Sequence, residues 1–169
     1  MRLRKTFVNN GDVVMNLDSI VGAQHGIERL AGTTREQVFG EVAAALARAG
    51  AMDAALSDEI SAAYLERENR GTTAFGFGVA LPHVFHPSFK CIHLLVALHP
   101  AGVDFGALDG DSTRVLLCLA GPESERAKYL QALSFLASTL RNSAWRRFIA
   151  TASDTAAVSE ILVEAAQEG

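Results

Sequence analysis

The sequence predicts an α/β fold: a single domain built as a three-layer α/β/α sandwich around a mixed β-sheet. Three observations carry this expectation. Two strand-length apolar runs, Cys91–Leu98 and Arg114–Ala120, are almost unbroken and read as central strands covered on both faces. Segments of helical period lie before and after them, so helices are available for both sides of the sheet. No internal repeat, linker or low-complexity tract interrupts the 169 residues, and a chain of this length buries a sizeable core.

Taken in order, residues 1–30 are the least regular part and read as an N-terminal extension packing on a domain of residues 31–169. A short strand at Val13–Met15 and a broken helix within Leu17–Leu30 are the only patterns there. A first clear helix starts at Thr33 or Thr34, where Thr33 with Glu36 fits a capping box, and Gly50 supplies a stop. Val38, Val42, Ala45 and Leu46 are its apolar stripe. Ser57 caps a second helix running to about Asn69. Its apolar side is Ile60, Ala63 and Tyr64, and the next position on that stripe is Arg67, which helical spacing turns inward. A snorkelling arginine binding the last helical carbonyls is the plain reading of that residue.

Next comes Gly71-Thr72-Thr73-Ala74-Phe75-Gly76-Phe77-Gly78-Val79-Ala80-Leu81-Pro82-His83, a turn followed by a short strand. Pro82 pushes Leu81 toward extended geometry and leaves His83 at a rigid strand end. Gly102–Asp111 is a polar turn region anchored by Val103 and Phe105. After the strand closed by Gly121-Pro122, a helix from Glu123 to Arg141 places Ala127, Leu130, Leu133, Ala137 and Leu140 on one face. A short helix near Ala144–Thr151 follows, with Trp145, Phe148 and Ile149 as its apolar contacts. A last helix is capped by Ser153 or Asp154 and carries Val158, Ile161, Leu162 and Ala165.

A net charge of −4 argues against a general nucleic-acid binder. No apolar run approaches the roughly 20 residues of a membrane span, and no apolar segment follows the basic residues Arg2, Arg4 and Lys5. A cytoplasmic protein with no membrane insertion is expected. Cys91 and Cys118 both fall in apolar runs and read as buried thiols in a reducing compartment.

His83 is the outstanding candidate for chemistry. A strand-end imidazole beside a glycine turn can act as a nucleophile, or it can merely cap the turn. Arg67 can neutralise phosphate charge, while Thr72 and Thr73 offer hydroxyls. Such parts suit phosphoryl transfer better than acyl transfer. A metal site using His83 and His86 lacks clustered thiolates or carboxylates, so no metal is expected. His93 reads as a satisfied core histidine. There is no Gly-x-Ser-x-Gly elbow, dinucleotide fingerprint or Walker loop, and no cofactor is called for.

Arg67-Glu68, Gly71-Thr72-Thr73 and Gly76-Phe77-Gly78-Val79-Ala80-Leu81-Pro82-His83 together resemble the signature of the fructose/mannitol-type enzyme IIA domains of the sugar phosphotransferase system. That family includes the nitrogen-regulatory IIA proteins, and the resemblance runs from about Leu30 to the C-terminus. It implies a phosphohistidine carrier in which His83 accepts a phosphoryl group from the carrier protein HPr and passes it to a IIB domain or keeps it as a signal. It also implies that Arg67, Thr72 and Thr73 surround the phosphate. Two positions depart from the pattern. Many members have asparagine where this chain has Phe77, and the family commonly has histidine where this chain has Tyr129, ahead of Leu130. A phenol at 129 can donate one hydrogen bond to phosphate but brings no positive charge. The alternative is a regulatory interaction module of the same fold, binding a target protein with weak or lost transfer.

Overall fold

The computed structural model describes residues 26–168. The expected strand at Val13–Met15, and the part of Leu17–Leu30 before Gly26, lie outside them. The described chain runs β1 (Gly26–Ile27), α1 (Arg35–Arg48), α2 (Ser57–Asn69), β2 (Ala74–Gly76), β3 (Val79–Ala80), β4 (His83–Phe85), β5 (His93–Val103), β6 (Thr113–Gly121), α3 (Arg126–Arg141), α4 (Ser143–Ala150) and α5 (Thr155–Glu168). Single 3-10 turns at Ala54–Leu56 and Glu123–Glu125 lead into α2 and α3.

The sheet is mixed, as expected. Its order is β1-β5-β6-β3-β2, with β4 also on β6. β5 and β6 form the antiparallel centre, while β1, β3 and β4 pair in parallel. Residues of β5 and β6 alternate between two cores. Leu95, Ala97, Leu116, Cys118 and Ala120 meet α1 and α2. Leu94, Val96, Leu117 and Leu119 meet α3, α4 and α5. Burial on both faces is why these strands read as continuous apolar runs rather than alternating ones.

β3 and β4 are two pieces of one path along β6, divided at Leu81-Pro82. Val79 pairs with Val115 and His83 with Leu119. Proline has no N–H to give, yet its carbonyl still accepts from Leu119 N–H at 2.9 Å.

Several local expectations change. Cys91 is exposed, not a core thiol, because β5 starts only at His93. That strand also continues past the bulge after Leu98 to Val103. The buried stripe of α3 is Tyr129, Ala132, Leu136, Thr139 and Leu140. Ala127 and Leu130 face out, with Leu130 44% exposed. Tyr129 and Thr139, polar by type, are the residues that turn inward and rotate the stripe. Thr34, not Thr33, caps α1, and the side chain of its Gln37 reaches back to the Thr33 N–H. Asp53 caps the turn before α2, so Ser57 is simply that helix's first residue. Asp154 caps the last helix through Ala157 N–H at 2.7 Å, and Gly50 leaves α1 at φ 76°.

Candidate functional site

β4 lies at an open edge of the sheet, and the end of α2 covers it. Tyr64 fixes that helix in place. Its ring stacks on Phe39 with centroids 5.4 Å apart, and its hydroxyl donates to the Leu119 carbonyl at 3.0 Å. Leu119 is the register partner of His83. One turn beyond Tyr64, Arg67 therefore arrives at the His83 ring.

The Arg67 Nε–H donates to His83 Nε2 at 3.2 Å, and its Nη1 donates to the Gly71 carbonyl at 2.9 Å. The second contact is the helix-end role read from the sequence; the first is more. On the other side of the ring, His83 Nδ1 lies 2.9 Å from the Leu81 carbonyl. A carbonyl only accepts and a guanidinium only donates, so the two bonds dictate one tautomer: Nδ1 carries the proton and Nε2 carries the lone pair. Burial lowers the basicity of His83, the Leu81 carbonyl raises it, Arg67 lowers it and Glu68 raises it, with a net downward shift. At neutral pH the ring is an uncharged nucleophile half-sheltered from water.

Glu68 and the two threonines hold the segment before β2. The Glu68 carboxylate, 2% exposed, accepts from Thr73 N–H at 2.8 Å and from Thr73 Oγ1 at 2.6 Å. Thr72 Oγ1 donates to the Phe105 carbonyl and accepts from Ala74 N–H at 3.1 Å. Both hydroxyl protons are thus committed within the fold, and neither is aimed at His83.

Tyr129 approaches from the opposite layer. Its ring lies 3.9 Å from that of Phe85 and fits under Gly121, where a Cβ would sit 2.9 Å from Tyr129 Cδ2. Its hydroxyl is buried without a hydrogen-bond partner. Burial pushes the phenol well above its usual range, more than the positive charge of Arg67 pulls it down, so it remains a protonated donor. A second guanidinium, Arg126, lies 4.8 Å above the Phe85 ring.

The other described histidines, His86, His93 and His99, have other partners, with His99 Nε2 2.7 Å from the Gly32 carbonyl. His86 Nε2 meets Glu59 at 2.8 Å and its Nδ1 meets Ser88 Oγ at 2.7 Å. His93 Nε2 lies 3.4 Å from Cys91 Sγ. Among the described residues no three His, Cys, Asp or Glu side chains gather as a metal site would require. No described helix is long and apolar enough to cross a membrane.

Sequence reasoning brought His83 and Arg67 together but missed Tyr64, Leu81 and Arg126, and it used Glu68 only as part of a motif. Tyr64 was detectable as the apolar neighbour of Arg67 on one helical stripe. The Leu81 carbonyl and Arg126 act through contacts that no residue pattern announces.

The sequence family described as phosphoenolpyruvate-dependent sugar phosphotransferase system, EIIA 2, matches residues 24–165. A nitrogen regulatory protein of Bradyrhizobium diazoefficiens is 29% identical over 148 residues, covering 88% of this chain and 95% of its own length. The crystal structure of nitrogen regulatory protein IIA-Ntr from Neisseria meningitidis superposes with a TM-score of 0.70 at 27% identity, over 82% of this chain and 92% of that one. The IIAMTL enzyme of Escherichia coli, solved in complex with phosphorylated IIBMTL, shares the fold with a TM-score of 0.66 at 21% identity, covering 85% and 96% of the two chains. The chain belongs to the EIIA type 2 family of the sugar phosphotransferase system.

Proposed function

We propose that this protein is a phosphohistidine carrier in which His83 Nε2 accepts a phosphoryl group from an HPr-like carrier and hands it to a IIB domain or holds it as a regulatory signal. The observation that carries this reading is the deprotonated Nε2 held 3.2 Å from the Arg67 guanidinium. In the transfer, the Nε2 lone pair attacks phosphorus, an Nε2–P bond forms, and the donor's N–P bond breaks with its electron pair returning to the donor ring. The proton stays on Nδ1, which goes on donating to the Leu81 carbonyl, and no general base is needed. Arg67 turns its N–H groups from nitrogen to the phosphoryl oxygens, where charge-assisted bonds are strongest.

In this reading Tyr129 donates its unpartnered hydroxyl to a phosphoryl oxygen. Thr72 and Thr73 flank the phosphate but contribute by fixing the segment, since reaching it would break their present bonds. Residues 31–169 form the working unit, with 1–30 as an extension whose last residues supply β1. The protein works in the cytoplasm, where its phosphoryl donor is found, without a cofactor or a bound metal.

Incubation with phosphorylated HPr tests the proposal. The expected result is an acid-labile phosphoryl adduct on the chain that is absent from His83→Ala. No adduct, under conditions that load another IIA protein, defeats it. A second reading, a regulatory module of this fold, draws on the nitrogen regulatory relative and on Phe77, 45% exposed on a turn. A partner captured by the wild-type chain and lost with His83→Asp supports it; identical partner sets remove the switch.

A further inference from the structure

Glu68 is at odds with its surroundings. It is 2% exposed, sits in the last turn of α2 where the helix dipole is negative, and no cation pairs with it among the described residues. Its two oxygens receive only the Thr73 N–H and hydroxyl. Each oxygen accepts from a donor, so neither must carry a proton, and the group fits an ionised carboxylate. A buried charge of this kind is expensive. For the clamp alone, a neutral amide would provide one good acceptor for Thr73 without that expense.

We infer that Glu68 is a positioning residue for the chemistry at His83: it locks the segment that steers Arg67, and its negative charge offsets the Arg67 guanidinium at the imidazole. This rests on the phosphoryl-carrier reading. The geometry has two parts. Arg67 and Glu68 are neighbours at one helix end and grip the same segment at two points, Gly71 by its carbonyl and Thr73 by its amide and hydroxyl. The Gly71 N–H also returns to the Glu68 carbonyl at 3.1 Å.

The electrostatic part follows from the reaction. When Nε2 bonds to phosphorus while Nδ1 keeps its proton, the ring gains positive charge. Arg67 stabilises the phosphoryl oxygens but opposes that ring charge, whereas the Leu81 carbonyl and the Glu68 carboxylate favour it. A preformed buried carboxylate lets one arginine serve the phosphate without disabling the nucleophile.

The test compares wild type, Glu68→Gln and Glu68→Asp in three measurements: NMR titration of the His83 ring, thermal unfolding, and the initial rate of loading from phosphorylated HPr. Glu68→Gln should titrate His83 at lower pH than wild type and load roughly tenfold more slowly. It should melt at or above the wild-type temperature. Glu68→Asp keeps the charge on a shorter arm and should recover most of the titration and part of the rate. An unchanged His83 titration in Glu68→Gln overturns the inference, as does a slower rate that only accompanies lost thermal stability. Wild type that never loads on His83 overturns the carrier reading instead, and the titration distinguishes the two failures because it needs no phosphate.

Discussion

The two ends of the segment between α2 and β4 are built on opposite terms. At the Gly76–Phe77–Gly78 turn all three residues have positive φ, at 84°, 53° and 79°. Phe77 stands in a conformation that costs a side chain about 1 kcal/mol and that asparagine tolerates better. It is held by the Asp109 carboxylate on its N–H at 2.8 Å and by Arg146 4.6 Å above its ring. At the other end, His83 is sheltered, and Arg67 and Glu68 from α2 together with the Leu81 carbonyl determine its state. The turn is a local problem with an awkward residue solved by neighbours; the histidine is an ordinary residue made particular by distant ones. Substitutions should therefore act on stability at the first end and on chemistry at the second.

The largest effect belongs to Arg67. Arg67→Ala should slow phosphoryl loading by about 100-fold, and Arg67→Lys should recover only part, because an ammonium cannot reach the ring and Gly71 together. Full activity in Arg67→Ala, read from the rate of adduct formation, would erase the contrast between the two ends.

Tyr129→Phe removes a buried hydroxyl that nothing satisfies, so unfolding in urea should show equal or greater stability, by up to about 1 kcal/mol. If the hydroxyl serves the phosphoryl group, the phosphorylated population should still fall about tenfold or more. Unchanged phosphorylation would leave Tyr129 as packing against Phe85.

The pH dependence is smaller and has a definite sign. Burial holds His83 below its ordinary value of 6.5, so the unfolded chain takes up its proton first. The stability contributed by this ring is present above pH 6.5 and is lost as pH falls through the folded value. Loading should survive mild acidification and then fail in the same range, as Nε2 gains a proton. Denaturation curves and loading rates between pH 7.5 and 4.5 check both, and His83→Ala should flatten the stability part.

The smallest effect is at the turn. Phe77→Asn relieves about 1 kcal/mol of left-handed cost and loses about 0.5 kcal/mol of cation–π attraction. A net gain of roughly 0.5 kcal/mol, with loading unchanged, is expected in urea unfolding. A loss of stability would show that Arg146 needs that ring to seat α4.

Much of this division was legible in the residues. The double burial of β5 and β6 showed as unbroken apolar runs. Helical spacing turned Arg67 inward, while its place beside His83 came from the family resemblance. Less visible were effects that depend on which residue lies opposite which. The α3 stripe rotated because Tyr129 and Thr139 are buried despite their polar groups. Cys91 proved exposed because composition does not show where a strand starts. The Tyr64 bond to Leu119 exists only once α2 is packed on β6, and the Leu81 contact depends on the backbone path through Pro82.

The break at Leu81-Pro82 has one more consequence. The Leu81 N–H bonds to the Thr73 carbonyl at 3.0 Å, and the Leu81 carbonyl meets the ring two residues later. The Nδ1 side of the His83 tautomer is thus held by main chain, and the Arg67 side chain meets the nitrogen left over. In the carrier reading, drift in the surrounding side chains can retune how fast the ring loads, while the main-chain bond keeps the proton on Nδ1.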